Sequence, residues 1–321
     1  MEAQYDYHPL SSSRAQIRLL YLERSVDYSS PLTGRLEVHS LPRSVPPTLR
    51  SFVALSYTWS NAISDAVPVP IHDGLANDSA TLSSPRSTTA TPDCIFIDGK
   101  PLPIGENLAA FLRHSRRCNQ GENIPLWIDA ICINQKGDRE KSQQISLIGF
   151  IYSLATKVVV WLGPPTANSD LGMKWLDKLG SGSPYWKMPL LSSRTLTAIQ
   201  NLLLRRWWTR VWIIQEIVAG GFHIKLHAIE VWCGERTTTW MRVVIAAARM
   251  RAYRDDRRQY FPNIDRVLEL DALRDSALGL SLAGPYRCNI ESPLHSPTAM
   301  LIRCRRYDST DPKDKVDAIY H

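Results

Sequence analysis

LWIDAICINQKGDREKSQQISLIGFIYSLATKVVVWLG, residues 126–163, decides the fold. Its ends, LWID at 126–129 and VVVWLG at 158–163, are short apolar runs that read as buried core strands, the second closed by Pro164 and Pro165. Between Asp138 and Thr156, Ile145, Ile148, Tyr152 and Ala155 recur at helical spacing. Strand, helix and strand in that order make a βαβ unit with parallel strands. Upstream, FVALSY at 52–57 is an earlier core strand with Tyr57 and Trp59 at its end. IFIDGKPLPI follows at 95–104, where Asp98-Gly99 supplies the positive φ angles of a tight hairpin. GENLAAFLRHSRR then puts Leu108, Phe111 and Leu112 on one helical face. Downstream, helices are expected at 170–180, 193–219, 237–252 and 264–280, with a strand or hairpin at 224–234. The fold class is α/β.

The chain has 321 residues, 44% hydrophobic and 21% charged, which excludes a disordered tail and leaves room for a large core. Lys and Arg total 38 against 31 acidic residues, for a net charge of +7. That balance permits attraction to nucleic acid without demanding it, and nucleic acid is not an expected partner. Cys94, Cys118, Cys132, Cys233, Cys288 and Cys304 form no C-x-x-C pair and read as reduced thiols. The opening MEAQYDYHPL lacks a basic region followed by an apolar core, and the most apolar stretch, 147–162, is shorter than the roughly 20 residues a span needs. A cytoplasmic protein without a membrane span is expected. Residues 61–93 collect Ser, Thr, Pro and Ala with little periodicity and read as a low-complexity insertion.

In an open parallel sheet, ligands sit beyond the carboxyl ends of the strands, so the polar residues there are the first candidates. Ser56, Tyr57, Thr58 and Trp59 follow the first core strand, and Asp129, Asn134, Gln135 and Asp138 follow the second. In RRWWTRVWIIQE at 205–216, read as one helix, Trp208, Trp212 and Glu216 are spaced four apart and share a stripe, with Trp207 on a neighbouring core-facing stripe. A carboxylate beside indole rings is partly desolvated and suits a cationic or aromatic ligand. Alternatively, the tryptophans fill the core and Glu216 pairs with Arg210 or Arg206. Asp129 is open to three roles: catalysis, a hydrogen bond to a sugar hydroxyl, or capping of the turn that follows. No G-x-G-x-x-G, phosphate loop, G-x-S-x-G elbow or H-E-x-x-H occurs, so neither a nucleotide cofactor nor a metal is expected.

ALSYTWS at 54–60, LWIDAICINQ at 126–135, DREKSQQISLIGFIYSLA at 138–155, VVVWLGP at 158–164, RRWWTRVWIIQEI at 205–217 and DPKDKVDAI at 311–319 together resemble the fungal heterokaryon incompatibility (HET) domain. The resemblance covers 52–235 best. It implies a cell-death effector of self/non-self recognition that self-associates and answers to an incompatibility partner or an upstream sensor. HET domains are in turn distantly similar to TIR domains, whose flavodoxin-like parallel sheet is flanked by helices and which in several branches cleave NAD. That similarity implies the same sheet here, with additional C-terminal helices. It maps the TIR catalytic carboxylate onto Glu216, because Trp212 and Glu216 have the W-x-x-x-E spacing.

NAD would then be a substrate, with Trp212 or Trp59 stacking on its base and Asp129 and Arg210 positioning ribose or phosphate. The alternative is a non-enzymatic module that acts by oligomerising and through partners. The expected organisation is an N-terminal extension with a short strand or hairpin at 1–51, the HET core at 52–235 and a helical C-terminal part at 236–321. Three departures from the family pattern stand out: Ser60 in place of the glycine after Tyr-Thr-Trp, the insertion at 61–93, and Asp317 in place of an aromatic near a shortened C-terminus.

Overall fold

The computed structural model describes residues 4–11, 15–41, 51–60, 62, 93–118, 124–182, 190–219, 229–257, 260–277, 307–309 and 314. Nearly all of the 61–93 insertion, residues 224–228 and 278–280, and most of the final motif therefore lie outside the described residues.

The strands are β1 (Gln16–Leu22), β2 (Leu32–Ser40), β3 (Val53–Ser56), β4 (Cys94–Ile97), β5 (Lys100–Pro103), β6 (Leu126–Trp127), β7 (Lys157–Trp161), β8 (Ile229–Cys233) and β9 (Arg236–Thr239). They form one sheet of nine in the order β5-β4-β2-β1-β6-β3-β7-β8-β9. The block β6-β3-β7-β8 is parallel throughout, with Val53 opposite both Leu126 and Lys157, and Val158 opposite Ile229. Every residue of β3 is buried, as are Val158 to Trp161 of β7, which is why these strands read as continuous apolar runs: both faces are covered.

The βαβ reading holds. β6 and β7 flank β3 in parallel, and the crossover between them is helical. It is two helices rather than one, α3 (Asp138–Ile145) and α4 (Ile148–Leu154), after the short α2 (Asp129–Cys132). At the break the Ser146 hydroxyl donates to the Gln143 carbonyl, and the Leu147 amide takes Gln144 in place of the carbonyl four residues back. Ile148, Tyr152 and Ala155 still face the core.

The Asp98-Gly99 turn joins β4 to β5 with φ of 48° and 79° as expected. Helix α1 (Glu106–Cys118) buries Leu108, Phe111 and Leu112, and Phe111 meets the Trp161 ring edge-on at 5.6 Å. On the N-terminal side, β1 and β2 form an antiparallel hairpin, and β1 also pairs with β6 through Leu20 and Leu126. The segment before the core is thus part of the sheet. Helices α5 (Ser169–Gly180), α6 (Ser193–Leu203), α8 (Trp240–Arg257) and α9 (Ile264–Ala277) pack against one another in the C-terminal half.

Two expected helices differ. Residues 237–239 extend β9 against β8, because three β-branched threonines follow a Gly234 turn with φ of 53°, and α8 starts only at Trp240. The expected helix at 193–219 is three pieces: α6, a 3-10 turn at Arg206–Thr209, and α7 (Ile213–Ala219). Arg205 and Arg210 bracket that turn with extended backbone, ψ of 138° and 136°. Hydrogen bonds to other parts of the chain outweigh helix propensity there. Arg205 donates to the carbonyls of Leu162 and Pro164, the Trp208 indole donates to Leu202, and the Val211 amide donates to Asp308.

Candidate functional site

In the parallel block, β3 leads to β6 on one side and β7 leads to β8 on the other. Between β3 and β7 the winding therefore reverses, the place where doubly wound sheets carry their ligands. A cavity of about 790 Å³ opens at this end of the sheet. Trp59 follows β3, Trp127 and Asp129 stand at and after β6, Lys141 and Tyr152 come from the crossover, and Arg206, Arg210, Trp212 and Glu216 come from the broken helix. Asp308, Ser309 and Asp314 bring the C-terminal segment to the same wall.

All five residues expected from the sequence, Trp59, Asp129, Arg210, Trp212 and Glu216, line this one cavity. The break before α7 matters for the geometry. It turns the chain so that Arg210 forks onto Glu216, Nη1 to Oε2 at 3.3 Å and Nη2 to Oε1 at 3.2 Å, with side chains only 17% and 6% exposed. Of the two arginines considered as partners for Glu216, Arg210 forms the pair. Ser56, the last residue of β3, donates its hydroxyl to Glu216 Oε2 and accepts from Trp207 Nε1 at 2.7 Å.

Asp129 opens α2. Its Oδ2 accepts from Trp59 Nε1 at 2.9 Å and its Oδ1 from the Ala130 amide at 2.7 Å, while Tyr57 adds a further hydrogen bond. The residue before it, Ile128, is the helix cap and has no side-chain cap bond. Gln135 donates to the Asp129 carbonyl at 2.9 Å and keeps the loop folded over the cavity.

Burial raises the Glu216 and Asp129 carboxyls above their ordinary values, against the pull of Arg210 on both. For Arg210, burial works against its charge, yet Glu216 and Asp129 together hold it above its usual value. Desolvation also lifts the Tyr57 and Tyr152 phenols well above theirs, the neighbouring carboxylates adding to it. The cluster thus sets two desolvated carboxyls around one guanidinium, an arrangement whose carboxyls can accommodate a cationic group. Among the described residues, no group of His, Cys, Asp and Glu could hold a metal ion.

The expected tryptophan stripe does not form. Trp208 is fully buried, packed edge-on against Trp207 at 4.8 Å, and does not line the cavity. Trp207, assigned to the core-facing stripe, is buried in the core as expected and also reaches the Glu216 carboxylate through Ser56. Ser56 and Tyr57 were visible as polar residues at a strand end, but nothing local in the sequence joins them to Glu216 or Asp129 across 160 and about 70 positions respectively. Trp127, read only as strand, stands on the cavity wall with a buried indole N–H that has no partner among the described residues.

The ordered motifs define one protein class, and comparison with known proteins agrees. Residues 52–216, a little over half of the chain, match the family model "Heterokaryon incompatibility protein (HET)", and the chain belongs to that family. It is also 36% identical over 251 residues to Heterokaryon incompatibility protein 6, OR allele, of Neurospora crassa, an alignment covering 66% of this chain. The chain spans about a third of that relative's length, 33%. No solved structure matches. Among the described residues, no helix is long and apolar enough to cross a membrane.

Proposed function

We propose that this chain is a cytoplasmic effector module of fungal incompatibility that triggers cell death by cleaving the nicotinamide–ribose bond of NAD in the β3/β7 cavity. The observation that supports this most is the clustering of Glu216, Arg210 and Asp129 on one wall, with Trp59 and Trp212 lining the same cavity. Cleavage passes through an oxocarbenium-like state at ribose C1′, and a fixed carboxylate stabilises that charge most where water is excluded.

In this reading Glu216 stabilises the developing cation and accepts from a ribose hydroxyl. Trp59 and Trp212 stack on the pyridinium ring. Arg210 and Asp129 orient ribose and phosphate. The electron pair of the breaking C1′–N bond stays on the ring nitrogen. A water oxygen bonds to C1′, and its proton leaves to solvent. The products are nicotinamide and ADP-ribose.

Self-association, driven by an incompatibility partner or sensor, supplies the trigger. The test is nicotinamide release by purified protein at high concentration, wild type against Glu216→Gln, with circular dichroism checking that both fold. Release lost in the variant is expected. No release by wild type, even when crowded into assemblies, refutes the enzymatic reading.

A second reading rests on the ion pair itself. A carboxylate met by both arms of Arg210 and by Ser56 is also a strut, and the module would then kill by oligomerising and recruiting partners. Toxicity that survives Glu216→Gln but is lost on surface substitution favours that reading.

A further inference from the structure

We propose that Ser56 and Trp207 are positioning residues that fix the Glu216 carboxylate and decide which of its oxygens meets a ligand. The inference deepens the reading above, since it concerns the carboxylate assigned there. Neither residue lines the cavity, whereas Glu216 does. Ser56 is fully buried and Trp207 is 1% exposed, so both act only through Glu216.

The hydrogen-bond directions follow from the donors available. The Trp207 indole can only donate, so Ser56 Oγ accepts from it at 2.7 Å and spends its single hydrogen on Glu216 Oε2. Oε2 also accepts from Arg210 Nη1, whereas Oε1 accepts from Arg210 Nη2. A carboxylate has about four acceptor directions, two on each oxygen. Oε2 is therefore saturated, and the open direction lies on Oε1. A ligand hydroxyl meets that oxygen.

The chain β3–Ser56–Glu216 also ties the end of a core strand to α7. The carboxylate is thereby held by the sheet as well as by its own helix. Charges acting on Glu216 come from Arg210 and from Asp129 of α2, the phenols of Tyr57 after β3 and Tyr152 of α4 stay neutral beside it, and the Ser56 hydrogen bond favours its ionised form.

The test reads the carboxyl itself, so it does not depend on turnover. In protein carrying ¹³C-labelled glutamate carboxyls, the Glu216 resonance is the one lost in Glu216→Gln. Ser56→Ala is expected to move its titration upward by about one to two pH units, because one hydrogen bond to the charged form is gone. Trp207→Phe moves it the same way by less, and Ser56→Thr restores it. If Thr disturbs the packing, Ser56→Cys, a weak donor of nearly the same size, gives an intermediate shift.

A titration unchanged in Ser56→Ala overturns the proposal, even if that variant unfolds more readily. Nicotinamide release is read alongside. A shift without any wild-type release leaves the positioning role standing and removes the enzymatic reading; release without a shift does the reverse.

Discussion

Arg210→Met removes the guanidinium from a buried cluster while keeping much of its length. Arg210 and Glu216 are 17% and 6% exposed and doubly hydrogen-bonded, so the variant leaves Glu216 without its counter-charge and weakens the support of Asp129. Breaking a buried pair by removing one partner costs about 3–5 kcal/mol. The cost depends on pH, and its sign follows from the two carboxyls. Both are raised in the folded protein, so the stability they contribute is fully present below the ordinary carboxylate range and lost as pH rises through their folded values.

Taking away Arg210 raises both further. The variant's deficit relative to wild type is then smallest near pH 4 and grows toward neutrality by up to about 1.4 kcal/mol per pH unit for each carboxyl until it ionises. Urea unfolding followed by tryptophan fluorescence and far-ultraviolet circular dichroism, at pH 5 and pH 7.5, measures it. The double variant Arg210→Met/Glu216→Leu recovers at least half of the loss, because no buried charge is then left unpaired. A deficit below about 1 kcal/mol at pH 7.5, or one that shrinks as pH rises, refutes the idea that this pair is held in a low-dielectric site.

Arg18→Met destabilises the protein by about 3 kcal/mol or more, because a side chain only 2% exposed forks onto Glu140 and also donates to the carbonyls of Cys132 and His8. Burial opposes the charge of Glu140, but Arg18 and the Asn134 amide outweigh it and hold the carboxyl below its ordinary value; this stability is present above the ordinary range and lost as pH falls. A denaturation midpoint unchanged at pH 7.5 contradicts this. Gly163→Ala costs about 2 kcal/mol or more, since φ is +113° and a new Cβ lies 2.3 Å from the Ala62 Cβ. A melting temperature equal to that of wild type counts against it.

The parallel block was legible because burial on both faces writes itself into VALS and VVVW as unbroken apolar runs, and the crossover helices show the helical period. The Asp98-Gly99 hairpin was legible because positive φ selects its residues. What escaped was decided by distant groups. The 205–216 stretch looks like one amphipathic helix, but Asp308, Leu162 and Ser56 claim its amides and side chains, and no local pattern records them. The same holds for the site. Glu216, Arg210 and Asp129 stood out by type and position, whereas the Trp207–Ser56 link joins residues 151 positions apart and emerges only from the packed sheet.

Strand β6 is two residues long, and among the described residues it is the member of the parallel block that pairs with the N-terminal strands. A single residue pair, Leu20 with Leu126, holds it to β1. Backbone amides along this seam should therefore exchange with solvent sooner than those of β3 or β7, dividing the sheet into two cooperative units. Arg18 stitches across the same line, from β1 to the Cys132 carbonyl of α2 and to Glu140 of α3. Asp129, two residues past β6, and Glu216 both lie on the parallel-block side of that seam, so the two carboxylates keep their spacing when it opens.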